Sequence, residues 1–106
     1  EKGRVVRAYL GVGIMDKNTA ATYGYELNID KGVYVIKVAA NGPAGKAGLR
    51  EGDIILKVAG VEVNSVAELR GTVDAQPVGG KVDVIIVRGG NQQSVSILLE
   101  EMPSQQ

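Results

Sequence analysis

Short apolar runs separated by glycine-containing turns are the feature that most constrains how this chain folds. The 106 residues include 15 glycines and three prolines, residue types that favour tight turns. The runs between the turns are rich in β-branched residues, which is typical of strands. Such runs lie at 5–15, 33–38, 54–58, 61–63, 82–87 and 94–99, and 88–91 reads as a hairpin turn. The pattern therefore predicts many short strands joined by tight reversals.

Two short helices are predicted between the early strands. Residues 18–29 favour a helix that is capped by Asn18 or Thr19. Pro43 suits the first position of a helix, and Gly48 suits its stop signal. The second helix is therefore expected to be little more than one turn.

A longer helix is predicted over about 66–75, because Ser65 and Glu68 have the spacing of a capping box. The chain is within the usual size of one domain, and 44% of its residues are hydrophobic. One long helix, short helices and short strands in such a chain predict an α+β fold. We expect a mainly antiparallel sheet that curls into a partly open barrel or sandwich.

Composition excludes several classes of function. The net charge is zero, with twelve acidic and twelve basic residues, so no nucleic-acid partner is expected. No apolar run approaches the about 18 residues of a membrane span, and the N-terminal residues lack a signal-peptide core. The chain has no His and no Cys, which excludes a Ser-His-Asp triad, a thiol nucleophile and an imidazole or thiolate zinc site. A carboxylate metal site remains possible in principle, but the acidic residues are scattered along the chain. We therefore expect no catalytic site, no metal and no cofactor, while the absence of cysteine leaves the compartment open.

The stretch RAYLGVGI at 7–14 contains two glycines inside an apolar run. Glycine weakens a strand, but it allows a sharp turn or the close approach of another group. From these residues alone, Gly11 and Gly13 fit either explanation.

The stretch GPAGKAGLREGDIILKVAGVEV at 42–63 resembles the signature of PDZ domains, particularly those of HtrA/Deg serine proteases. Gly42 stands where that family usually has a serine. The opening RAYLGV at 7–12 resembles the start of the same domains, and the likeness extends over about 4–100. The resemblance implies a single PDZ domain over 1–106, with a core at about 4–100 and a frayed tail at 101–106.

The resemblance implies a peptide-binding site of backbone and apolar side chains. The loop at 9–12 would bind a C-terminal carboxylate through its amides, and the edge strand at 12–15 would accept a peptide as an added strand. Val66 at the start of the long helix implies a preference for apolar residues at an upstream ligand position. The implied peptide-binding residues are Arg7, Tyr9, Leu10, Gly11, Val12, Gly13, Ile14, Met15, Val66, Arg70 and Val73.

Several of these residues also have a purely structural explanation. Arg7 and Arg70 suit solvated surface positions as well as the groove, and Val66 suits core packing. Gly13 suits a bulge or a local twist. Asp53 is expected to hydrogen-bond its own turn.

The implied function is recognition of hydrophobic C-termini or unfolded segments, for substrate capture or activation of an HtrA-like protease. One alternative is an assembly or gating domain that contacts the protease or neighbouring subunits. Another is a PDZ domain from a tail-processing protease, a membrane-embedded metalloprotease or a secretion component. The resemblance also implies a monomeric fragment, the parent protease domain as a partner, and an extracytoplasmic location in a periplasm, at a cell surface or in an organelle lumen.

Overall fold

The computed structural model describes residues 8–22, 24 and 32–101. Eight strands and three helices lie within these residues. The strands are β1 (Ala8–Tyr9), β2 (Val12–Met15), β3 (Val33–Val38), β4 (Ile54–Val58), β5 (Val61–Glu62), β6 (Lys81–Arg88), β7 (Asn91–Leu98) and β8 (Glu100–Glu101). The helices are α1 (Lys17–Thr22), α2 (Pro43–Ala47) and α3 (Val66–Asp74).

The strands form two antiparallel sheets. The larger has the order β2-β3-β4-β6-β7, with β5 paired to β4, and the smaller joins β1 to β8. Every pairing is antiparallel. The predicted α+β fold with an open, mainly antiparallel sheet is confirmed, and β2 and β7 end the larger sheet.

Two helices follow their sequence signals. In α3, the Ser65 hydroxyl accepts from the Glu68 N–H at 3.0 Å, and the Glu68 carboxylate accepts from the Asn64 N–H at 2.8 Å. The first bond satisfies a donor that the first helical turn leaves unpaired, and the second pairs the N–H of the residue before the cap. Helix α2 begins at Pro43 and ends before Gly48, whose φ is 98°. Both the longer helix and the single-turn helix are therefore confirmed.

Four sequence predictions about local structure need correction. The cap of α1 is Asp16, whose carboxylate accepts from the Thr19 N–H at 2.7 Å, rather than Asn18 or Thr19 itself. The run at 5–15 is not one strand, because it is interrupted between β1 and β2. The last long strand begins at Asn91, since the two-residue turn at 89–90 lets all of β7 pair with β6. The strand β8 was not predicted, and Glu101, which was expected to begin a frayed tail at 101–106, pairs with Ala8 in it. The rest of that tail lies outside the described residues.

The core is built from aliphatic side chains. Leu69 and Val73 of α3 are 1% and 4% exposed, and they join a buried cluster of sheet residues. The fully buried sheet members include Val33, Val35, Ile55, Val58, Val84, Ile86 and Ile97. Full burial of one such side chain stabilises the fold by about 1.5–3 kcal/mol, so this cluster holds α3 on the sheet.

Asp53 is buried beneath the turn that precedes β4. Its carboxylate accepts from the Arg50 N–H at 2.9 Å, as the turn role predicts, and from two nitrogens of Arg88 at 2.7 and 2.8 Å. Burial of the carboxyl acts to raise the pKa of Asp53, but the bonds from Arg88 and Arg50 outweigh it and lower the pKa below its ordinary value. The ion pair joins the turn before β4 to the end of β6.

Among the residues that the structure describes, no helix is both long enough and apolar enough to cross a membrane. The same residues contain no group of three or more carboxylate side chains arranged to hold a metal ion.

Candidate functional site

The loop between β1 and β2 is fixed by hydrogen bonds to its carbonyl groups. The Leu10 carbonyl accepts from the Ala44 N–H and the Gly11 carbonyl accepts from the Ala39 N–H, both at 2.9 Å. In a trans peptide the N–H points opposite to the preceding C=O. The N–H groups of Gly11 and Val12 therefore point away from α2 and from the end of β3. Two successive amides that face away from their own chain in this way are candidate donors to an anion.

Gly11 lies at the closest approach between this loop and α2. Its φ is +77°, and a Cβ at this position would be 3.2 Å from Cα of Gly42 and 3.4 Å from Cδ of Pro43. The group that approaches Gly11 is therefore the N-terminus of α2. Gly42, in place of the family's serine, is the other half of this contact. Lys46 of α2 also bonds Glu100 of β8 at 2.8 Å, next to the loop.

Gly13 lies opposite a bulge in β3. Gly13 pairs with Lys37 and Ile14 pairs with Val35, so Ile36 is the extra residue. A Cβ on Gly13 would be 3.3 Å from Cβ of Lys37 and 3.4 Å from Cγ1 of Ile36. The bulge explanation for Gly13 therefore has direct structural support.

Strand β2 offers an edge with one apolar face. Within the described part of the chain, β2 pairs with β3 only, so its outer backbone groups are not used in the sheet. Val12 and Ile14 are half-buried against the core, and Leu10 is 5% exposed. Met15 is 8% exposed, and strand alternation turns its side chain away from the face of Ile14. Met15 therefore contributes backbone to this edge.

Helix α3 brings its side chains to the same apolar face. Val66 is half-buried against the core and Val73 is 4% exposed, while Arg70 is exposed. The Val66 N–H donates to the Asp16 carboxylate at 2.7 Å, which joins the start of α3 to the end of β2. The end of β2 and the start of α3 are therefore adjacent, and these two elements are the candidate walls of a groove.

The remaining predicted residues lie around the loop or outside the described part. Tyr9 is half-buried in β1 and pairs with Glu100. Arg7 lies outside the described residues. A shallow depression between β5 and α3 contains none of the predicted site residues; it is lined by Val61, Glu62, Glu68, Gly71, Thr72, Ala75 and Gln76.

Sequence reasoning missed Asp16. Its carboxylate is 6% exposed and contacts both α1 and α3. An aspartate directly before a short helix is a recognisable capping signal. The contact with Val66, fifty residues away, has no local sequence signal.

The geometry agrees with comparisons to known proteins. The PDZ domain family model matches residues 8–99. The chain therefore belongs to the PDZ domain family.

Its curated relatives are serine proteases of the HtrA and DegP type. It is 37% identical over 102 residues to the probable periplasmic serine endoprotease DegP-like of Marinomonas sp. (strain MWYL1), covering 96% of this chain and 22% of the relative. It is 32% identical over 106 residues to the periplasmic serine endoprotease DegP of Escherichia coli (strain K12), covering 100% of this chain and 22% of the relative. The chain thus spans less than a quarter of the length of these relatives.

Solved structures give the same fold. The HtrA3 PDZ domain bound to a phage-derived ligand (FGRWV) has a TM-score of 0.74 and 26% identity, with 92% of this chain and 89% of that chain covered. The HtrA-type protease AlgW with a decapeptide has a TM-score of 0.80 and 25% identity, with 98% of this chain and 32% of that chain covered. The serine endoprotease from Yersinia pestis has a TM-score of 0.77 and 32% identity, with 96% and 32% covered.

Proposed function

We propose that this domain binds the free C-terminus of a hydrophobic peptide, or an exposed hydrophobic segment, as an added strand beside β2. The observation that carries the proposal is that the Leu10 and Gly11 carbonyls are bonded within the chain, which turns the Gly11 and Val12 amides away from α2 and β3 at the start of an open strand edge. The amides would hold the terminal carboxylate, and the β2 backbone would pair with the preceding ligand residues. The peptide would therefore run antiparallel to β2, with its end at Gly11.

Selectivity comes from the apolar walls of the groove. In this proposal the last ligand side chain contacts Leu10, Val12, Ile14 and Val73, which belong to the core cluster or pack against it. Val66 is half-buried at the start of α3, where an upstream ligand side chain would pass. An apolar wall gives no hydrogen bond to a Ser or Thr ligand, so apolar residues are favoured there.

The parent of this domain is proposed to be an HtrA-type serine endopeptidase. The domain itself is not catalytic in this proposal. It captures substrate, or it activates the protease when a peptide binds. The names of the relatives support an extracytoplasmic location. Binding by one such groove is expected to be weak, about micromolar or weaker, because a flexible peptide must be ordered over a small area.

The test is a titration with pentapeptides that end in apolar residues, in matched free-acid and amidated forms. We expect the free acid to bind and to shift the NMR signals of residues 10–15, and the amide to bind at least about tenfold more weakly, because the loop N–H groups lose their anion. Equal binding of both forms would exclude carboxylate recognition. No shift with any apolar peptide would favour the assembly or gating role.

A second test concerns Val66. Val66→Thr keeps the side-chain shape but exchanges one methyl for a hydroxyl, so the ratio of affinities for Val against Thr at the third residue from the ligand's end should fall. We expect about a fourfold fall, the equivalent of one buried methyl group, about 0.8 kcal/mol. Val61→Thr on the exposed strand β5 is the matched control and should leave the ratio unchanged. If the Val-to-Thr affinity ratio is the same in Val66→Thr and Val61→Thr, the ligand does not contact Val66.

A further inference from the structure

The carboxylate of Asp16 joins three elements at one end of the groove. One oxygen, Oδ1, accepts from the Thr19 N–H at 2.7 Å and from the Thr19 hydroxyl at 2.8 Å. The other, Oδ2, accepts from the Val66 N–H at 2.7 Å. The residue directly follows β2 and is 6% exposed. A single buried group therefore connects the end of β2 with the first turns of α1 and α3.

We propose that Asp16 is a positioning residue that fixes the separation between β2 and α3, and thereby the affinity and upstream selectivity of the peptide groove. The inference rests on the proposed function and deepens it. Neither the carboxylate-binding loop nor the apolar pocket contains Asp16. Its effect on a ligand is exerted through the placement of Val66.

Physical chemistry explains why this connection is firm. A buried carboxylate is costly unless its oxygens accept hydrogen bonds, and here both oxygens do. The N-terminus of a helix also favours a negative charge. Because Oδ2 is bonded to the first N–H of α3, movement of this turn away from β2 would break a charge-assisted hydrogen bond to a buried carboxylate. The carboxylate therefore opposes widening of the groove.

The position of Asp16 predicts which part of the ligand is affected. In the proposed complex the peptide runs antiparallel to β2, with its C-terminus at Gly11. The ligand residues that precede the last one then lie beside Ile14 and Val66. Each strand residue advances about 3.3 Å, so the step from Val12 to Ile14 corresponds to two ligand residues. Asp16 lies beyond this point. Its loss should therefore weaken discrimination at the third residue from the ligand's end, and leave the preference for the last residue unchanged.

An ordinary helix cap would not have this effect, and the chain offers a matched control. The Ser65 hydroxyl accepts from the Glu68 N–H at 3.0 Å, entirely within the start of α3. Ser65→Ala thus loosens the same helical turn without touching β2. Asp16→Asn is nearly isosteric, and asparagine caps helices about as well as aspartate. When the oxygen of the asparagine side chain accepts from Thr19, its NH₂ group takes the place of Oδ2 and cannot accept a hydrogen bond from the Val66 N–H.

The experiment compares the wild-type domain, Asp16→Asn, Asp16→Ala and Ser65→Ala under conditions where each variant is folded. Titrations use two pairs of free-acid pentapeptides: Val or Ser at the third residue from the end, and Val or Ala at the last. Hydrogen exchange of the Val66 amide in the free protein reports whether its bond to residue 16 is broken. Asp16→Ala removes both oxygens, so it covers the case in which the asparagine oxygen turns to Val66.

We expect the variants that expose the Val66 amide to bind the Val peptides about tenfold more weakly, the fold-change that loss of one charge-assisted hydrogen bond produces. Their Val-to-Ser discrimination should fall, and their Val-to-Ala discrimination at the last residue should not. Ser65→Ala should bind within about twofold of the wild type, because its lost bond lies within α3 alone. Unchanged binding in an Asp16 variant with an exposed Val66 amide, or an equal loss in Ser65→Ala, overturns the inference. A wild-type domain that binds none of the peptides overturns the proposed function, and this inference with it.

Discussion

At the residue scale, Gly11 shows how one position serves both the fold and the site. Its positive φ turns the chain between β1 and β2, and its missing side chain admits Gly42. The same turn directs two amides away from α2 and β3. The motif in the sequence indicated a loop of this kind, but the group that approaches Gly11 is this chain's own helix α2.

Gly11→Ala should therefore both destabilise the domain and reduce peptide binding. The left-handed conformation costs about 1–2 kcal/mol for a residue with a Cβ, and the contact with Gly42 adds to it. Gly60→Ala is the control, since Gly60 has a φ of +80° with open space around it. Urea unfolding should show a loss in both variants, while titration should show weaker binding in Gly11→Ala alone. Wild-type affinity in Gly11→Ala would contradict the assigned role of the loop.

Asp53 and Arg88 give the residue-scale prediction for pH. The folded-state pKa of Asp53 is lowered, so its ionised form is favoured by folding. The resulting stability is fully present above the unfolded pKa of about 3.9, and it is lost as pH falls through the lower folded-state pKa. We expect Asp53→Asn to reduce the free energy of unfolding at pH 7 by about 1–3 kcal/mol, the cost of disrupting buried hydrogen bonds. The difference between wild type and variant should shrink below pH 4 in urea titrations; a difference that grew with acid would reverse the assigned direction.

At the element scale, the two edges of the larger sheet differ in what flanks them. Strand β2 follows the loop amides and ends beside the start of α3, where Asp16 bonds Val66, whereas β7 ends the other side of the sheet. Both expose backbone donors, so an unselective strand-addition mechanism would use either. Because the loop amides lie at the start of β2, the proposed ligand pairs with β2.

Hydrogen exchange can separate these two edges. Saturating free-acid peptide should slow exchange of the fast amides of β2 by about tenfold or more, because they become paired with the ligand. The fast amides at the β7 edge are the internal control, and should change by less than about twofold. Comparable protection at both edges would show that the binding does not use the groove.

At the scale of the whole molecule, the domain is expected to be monomeric. An open edge strand is a site for pairing between copies. Strand β2 is only four residues long, and its partner β3 is bulged opposite Gly13. Short, irregular edges disfavour such pairing.

Sedimentation equilibrium should therefore give the monomer mass over a wide concentration range, with and without peptide. A dimer that dissociates when free-acid peptide is added would indicate that copies pair through β2. That result would contradict the expectation of a monomer, while leaving the groove as the site of contact.

The sequence by itself determined most of the elements, apart from β8 and the break between β1 and β2, and it indicated the family. Local signals placed α2 and α3, because Pro43, Gly48, Ser65 and Glu68 act on backbone groups within a few residues. The glycine-bounded apolar runs located the long strands for the same reason. Backbone preferences of this kind are readable from neighbouring residues alone.

Only the tertiary structure decided how these elements form a groove. The bulge opposite Gly13 depends on the register between β2 and β3, and the contact between Gly11 and Gly42 joins loops about thirty residues apart. The bond from Val66 to Asp16 spans fifty residues. Such contacts have no local pattern, since they arise when the aliphatic core brings α3 onto the sheet and the buried carboxylate of Asp16 must find its donors there.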